Sequence, residues 1–199
     1  MAEEFLVMTD HHTNSLFELD DADRLVFPVS RLLVDPERFR DDAQEPMSSR
    51  GMGVVYTKTH RGRDLKSDRI REILVEEYYD PHHAAMDAWV TDRLRMHGRC
   101  LIIDCHSFPR TPLPCDLDQT ASRPDICIGT SALHTTDTVA RVACSAFESR
   151  GYTVEVNRPY QGTIVPLRYL GKDPSVQSIM IEVGRWLYMD EATGETLSA

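Results

Sequence analysis

An imidazole and a carboxylate stand at the end of an apolar run in Asp104-Cys105-His106-Ser107. In an open α/β sheet the ligand crevice lies at the carboxyl ends of the strands, so His106 is placed where a catalytic metal sits. An imidazole there is a natural zinc ligand, and Asp104 is placed to orient it as a supporting carboxylate. The alternative reading is a structural histidine hydrogen-bonded within a turn. A second group is Thr9-Asp10-His11-His12-Thr13-Asn14. Two imidazoles and a carboxylate in three residues can hold a divalent cation. Adjacent residues do not share a helical face, so at most one or two of them serve one ion. A polar helix surface is the competing account.

The third candidate is Glu182, which closes the apolar run in Ile181-Glu182-Val183-Gly184-Arg185. A carboxylate in that place is costly to bury unless it has a task or a partner. The position suits a general base that activates water in metal-assisted hydrolysis. An ion pair with Arg185 is the other explanation. Arginines that could hold an anionic substrate are Arg38, in Asp35-Pro36-Glu37-Arg38-Phe39, and Arg158, in the polar loop Asn157-Arg158-Pro159-Tyr160-Gln161-Gly162. A planar guanidinium grips a carboxylate with two hydrogen bonds, and Asn157 and Arg185 join this set of substrate-binding candidates. Solvated surface is the bland alternative for each. His82 and His83 read as core or supporting residues.

These side chains need a sheet to carry them. Apolar runs alternate with helical patterns along the chain, the signature of an α/β domain. Ala2 to Phe17 reads as helix, and Arg24 to Asp35 as a strand broken by Pro28. A loop follows to about Lys66, then a helix from Asp68 to Tyr79. A second helix starts at Asp80-Pro81, with Asp80 as N-cap and Pro81 as first helical residue. Cys100 to Cys105 is short, apolar and continuous, as for a strand covered on both faces. Asp125 to Gly129 is a similar strand. Thr135 to Arg150 is a helix stopped by Gly151. Tyr152 to Val156 and Ser178 to Val183 complete a mixed sheet between helical layers.

Bulk properties narrow the class. The 199 residues suit one domain spanning 1–199, and a net charge of −10 argues against a general nucleic-acid binder. An anionic small molecule needs only one or two local arginines. No apolar run approaches a membrane span, and the acidic start at Met1 to Met8 lacks the basic region of a secretory signal, so the expected location is cytoplasmic. The five cysteines are odd in number and form no C-x-x-C pair, which points to buried free thiols.

Taken in order, several stretches resemble the N-formylglutamate amidohydrolase family. They are Thr9 to Phe17, Ser30 to Phe39, Gly51 to Tyr56, Tyr78 to His83, Ile103 to Phe108, Pro124 to Gly129, Asn157 to Gly162 and Ile181 to Met189. The resemblance implies a three-layer α/β/α fold like that of the zinc carboxypeptidases. It also implies zinc-dependent hydrolysis of an N-formyl or other N-acyl amide on an acidic amino acid. Asp10, His106 and one of the His11-His12 pair, taken as His11, would hold one zinc, Glu182 would be the base and Arg38 would hold a substrate carboxylate. Asn14 stands where the family pattern has Asp. The strand ending in Pro-His-Ser/Ala/Asp with which members open has no counterpart after Met1. A shortened start, substitution by His11-His12, and loss of catalysis each account for that. The last makes the chain a binder of an acidic metabolite or a protein partner.

Overall fold

Cys100–Phe108 (β1) and Val176–Gly184 (β4) pair in parallel over nine residues each, and this pair is the backbone of the fold. The computed structural model describes residues 1–198. Ile126–Gly129 (β2) joins β4 antiparallel, and Val154–Val156 (β3) joins β2 parallel, giving the order β1-β4-β2-β3. The sheet is therefore mixed, as expected.

The chain divides into two compact units. The second comprises Asp10–Glu18, Asp87–Pro112 and Leu117–Ala199, and it contains the whole sheet. Side chains alternate between the faces of a strand. On one face, Val90 and Leu94 of the helix Asp80–His97 (α4) pack with Cys100, Ile102 and Val176. On the other, Val139, Ala143 and Phe147 of the helix Asp137–Glu148 (α5) pack with Ile126, Ile128, Ile179 and Ile181. Helix, sheet and helix make three layers. Thr136 caps α5, its hydroxyl accepting from the Val139 N–H at 3.4 Å.

The first unit comprises Met1–Thr9, Leu19–Met86 and Leu113–Asp116. One apolar cluster gathers Val34, Val54, Val55, Leu74, Val75 and Tyr79, and another Met8, Leu32, Met52, Tyr56 and Cys115. No helix of the described residues is long and apolar enough to cross a membrane.

Four expectations are corrected. The predicted Arg24 to Asp35 strand is irregular. Its Val34 and Leu32 are buried, but only single backbone bonds such as Asp35 N–H to Val54 O replace a ladder. Pro28 adds no donor, and a strand without a partner strand does not form. The helix pair expected to break at Asp80 is continuous. Arg71–Leu74 (α3) runs through a π-helical turn at Val75–Tyr79 into α4, so Asp80 lies within the helix. The wider turn accommodates Pro81, which lacks an N–H and crowds the preceding carbonyls. Asp80 instead accepts from Arg40 at 3.2 and 3.3 Å. Lastly, β1 is not covered on both faces, for Leu101 and Ile103 are 51% and 42% exposed. The N-terminal helix is also split, into Ala2–Met8 (α1) and Thr13–Leu16 (α2), by a turn in which His12 takes a positive φ of 64°.

His82, in the first unit, gives a pH-dependent contribution to stability. Burial, with a smaller effect of neighbouring His83, lowers its pKa from 6.5 to about 4, and the Phe27 ring stands edge-on at 4.9 Å. Between these values the unfolded chain takes up the proton and the folded one does not. Stability is therefore complete above pH 6.5 and declines as pH falls toward about 4. The thermal midpoint is expected to fall through that window, and His82→Gln to flatten the fall. A slope identical in the variant would assign it to other groups.

Candidate active site

Parallel pairing sets His106 of β1 directly beside Glu182 of β4, so both side chains leave the same face near the carboxyl ends of neighbouring strands. Strand spacing puts such partners roughly 5 Å apart. Seventy-six positions of sequence thus collapse into adjacency. Glu182 is 8% exposed. Across the other side of β4 its register partner is Cys127, whose thiol burial pushes up to about 11, so no thiolate competes for the site. Burial, with the Asp104 charge, likewise pushes the Cys105 thiol up to about 11. All five cysteines are free.

His106 is held between two carboxylates. Its Nε2 lies 2.8 Å from Asp104 Oδ1, while Asp104 Oδ2 accepts the Ile164 N–H at 2.9 Å. That second bond fixes the carboxylate, and the carboxylate in turn fixes the ring, the arrangement that orients metal-binding histidines. Its Nδ1 faces Asp10 Oδ2 at 3.5 Å. That spacing is long for a hydrogen bond. In the tautomer whose Nε2 donates to Asp104, Nδ1 turns a lone pair toward the Asp10 carboxylate, an arrangement that suits a cation between them.

Asp10 is itself immobilised. Its Oδ1 accepts from the Ser107 N–H at 2.9 Å and the Ser107 hydroxyl at 3.0 Å, with Arg185 3.5 Å away. Arg185 is buried and donates from Nε to the Ser107 hydroxyl at 3.1 Å and from a terminal nitrogen to the Ser107 carbonyl at 3.2 Å. Arg185 therefore joins the cluster as a brace for Ser107 and Asp10. The turn after Glu182 is compact, since a Cβ on Gly184 would run into the Trp186 ring.

The remaining candidates divide by location. His11 lies in the same turn as Asp10, and its carbonyl accepts the Tyr188 hydroxyl at 2.9 Å. His12 is bonded to the Gly194 carbonyl at 2.8 Å, which ties the turn to the C-terminal segment. Asn157, with a positive φ of 57°, exchanges two hydrogen bonds with Thr130. Arg158 pairs with Glu155 and Asp118 and donates to the Ser122 carbonyl at 2.6 Å. Both are thus engaged in shaping the loop after β3. Arg38 belongs to the first unit, where it lies among Asp35, Glu45 and Tyr56. His83, in that unit, bonds the Pro36 carbonyl at 2.9 Å, a supporting role as expected.

Sequence reasoning did not assign roles to Ser107, Tyr188 or Ile164. Ser107 follows His106 directly, which places it beside the site, but its bond to Asp10 spans 97 positions and has no local signal. The partners of Tyr188 and Ile164 are tertiary and leave no local trace.

A family model described as FGase: N-formylglutamate amidohydrolase matches residues 2–189. Among solved structures, N-formylglutamate amidohydrolase from Ralstonia eutropha JMP134 is similar with a TM-score of 0.77 at 24% identity, covering 100% of this chain and 79% of that one. Gene product Atu2144 from Agrobacterium tumefaciens is similar with a TM-score of 0.56 at 18% identity, covering 83% of this chain and 62% of that one. At these identities the likeness is one of fold. No curated protein matches the chain.

Proposed function

The chain belongs to the N-formylglutamate amidohydrolase family, and from that premise we propose that it hydrolyses the N-formyl amide of an acidic amino acid such as N-formylglutamate in a zinc-dependent reaction. The observation that carries this reading is the adjacency of His106 and Glu182 at the strand ends, with Asp10 against the His106 ring.

Asp10 and His106 fit zinc, for they offer carboxylate oxygen and imidazole nitrogen, the ligand types of catalytic zinc sites, with a supporting carboxylate already on the second ring nitrogen. The His11 ring nitrogens do not lie within 4.8 Å of both. Asp10 and His106 would hold the ion, with His11 of the same turn as the proposed third donor. Bound there, zinc would polarise the formyl carbonyl and make water more acidic.

The chain's own groups do the rest. Glu182 takes the proton of the attacking water as the C–O bond forms, and passes it to the amine nitrogen as the C–N bond breaks. The products are formate and the free amino acid. Burial of Glu182 keeps bulk water from competing for its proton. Asp104 holds the His106 ring so that Nδ1 faces Asp10. Ser107 and Arg185 keep the Asp10 carboxylate turned toward that nitrogen. Arg38 receives a substrate carboxylate.

Formate release measured with N-formyl-L-glutamate and its two monoamides tests the substrate. The diacid is expected to have kcat/KM about 10- to 100-fold above the amide that lacks the carboxylate held by Arg38, the worth of one charge-assisted contact. Equal rates on all three would sink the assignment of an acidic substrate. Release from none of them would leave the site to binding alone.

A further inference from the structure

Asp35 is fully buried, an unusual position for a carboxylate in a segment that is not part of the sheet. Its Oδ1 accepts the Glu37 N–H at 3.0 Å, and its Oδ2 accepts the Tyr56 hydroxyl at 2.5 Å. Tyr56 is itself fully buried. The guanidinium groups of Arg31 and Arg38 stand 3.8 and 3.5 Å from the same Oδ2. Burial alone would raise the Asp35 carboxyl, but Arg31, Arg38, the Tyr56 hydroxyl and the Glu37 N–H outweigh it and hold it below the ordinary carboxylate range. Asp35 is a fixed negative charge at neutral pH.

Arg38 is held from three directions. Asp35 stands on one side and Glu45 on another, with Oε1 3.8 Å from a terminal nitrogen. Glu45 is pinned by the Met47 and Phe39 amides at 2.9 and 3.1 Å. The Tyr79 hydroxyl donates to the Arg38 carbonyl at 2.8 Å and fixes the backbone. Yet both carboxylates lie at ion-pair rather than hydrogen-bond distance, and the buried Arg38 Nε has no hydrogen-bond partner. Buried donors are normally satisfied. Arg38 is thus aimed by the charges of Asp35 and Glu45 and by a hydrogen bond with the Tyr56 hydroxyl, and its Nε is the donor left over for an outside anion.

We propose that Tyr56, acting through Asp35, is a positioning residue that sets the Arg38 guanidinium for a substrate carboxylate and so determines the preference for an acidic substrate. This rests on the role given to Arg38 above. The Tyr56 hydroxyl fixes the Asp35 carboxylate, the carboxylate fixes the guanidinium, and the substrate meets a donor pair already in place.

The test measures kcat and KM of Tyr56→Phe, Asp35→Asn and Arg38→Gln on N-formyl-L-glutamate and its two monoamides. Tyr56→Phe is expected to raise KM for the diacid about fivefold to tenfold, with kcat within about twofold, since it removes one hydrogen bond behind the binding group. KM for the amide that lacks the Arg38-held carboxylate should stay put, so the acid-over-amide preference narrows. Asp35→Asn keeps the shape and removes the charge, and it should narrow the preference at least as far. It also serves should Tyr56→Phe not fold. If acid and amide constants move together, or kcat alone falls, the role is structural and the proposal is overturned. If Arg38→Gln abolishes the preference while Tyr56→Phe and Asp35→Asn retain it, Arg38 keeps its role and only this inference fails. If Arg38→Gln keeps the preference, both fail.

Discussion

Glu182→Gln is expected to lower kcat about a thousandfold, within the range that a positioned general base contributes. KM and the thermal midpoint should barely change. The substitution replaces one oxygen by an amide nitrogen of the same size at a site only 8% exposed, so packing around β4 is kept. What is lost is the ability to accept a proton from water, a loss felt in the transition state and not in the ground-state complex. Kinetically that is a fall in kcat and in kcat/KM by equal factors. A variant that keeps kcat within about threefold would remove Glu182 from the chemistry and leave its burial at a strand end unexplained. A variant that unfolds would instead assign it to stability, which thermal denaturation separates from the kinetic result.

How much of this was legible before the structure depends on whether a feature is local. The strands β1, β2 and β4 and helix α5 were readable because continuous apolar runs and a Gly stop carry their own signal. The Asp104–His106 pair was readable too, because residues two apart on a strand share a face. The contact between Asp10 and His106 joins residues 96 positions apart, and only the composition of the Asp10-His11-His12 turn hinted at it. Arg24 to Asp35 misled because valine and leucine favour strands only where a pleated partner exists. Asp80-Pro81 misled because the N-cap and Pro signal is local, whereas the π turn that carries the helix through it is set by packing of Val75 and Tyr79 in the first unit. The apolar run of β1 implied two covered faces, and apolar composition alone cannot tell a central strand from an edge. The Tyr56–Asp35 bond was out of reach for a simpler reason. Asp35-Pro36 reads as a strand stop, and nothing in the residues around Tyr56 names its partner.

Under the proposed mechanism, removal of zinc has the other large expected effect. The three proposed donors come from a turn and one strand end, and none of the chain's own groups can replace a cation that polarises a carbonyl. Asp10 and His106 are pre-oriented by Ser107, Arg185 and Asp104, which favours tight binding because little order remains to be imposed. Loss of the ion should therefore abolish turnover while the apolar layers over the sheet keep the fold.

The most direct test is to measure bound zinc and formate release from N-formyl-L-glutamate on the same samples, before chelation, after it and after zinc is restored, with His106→Ala alongside. About one zinc per chain is expected, as for a single catalytic zinc site. Turnover should disappear with the metal and return with it, and the His106→Ala protein should neither retain zinc nor recover. Undiminished formate release from metal-free protein would contradict zinc-dependent hydrolysis.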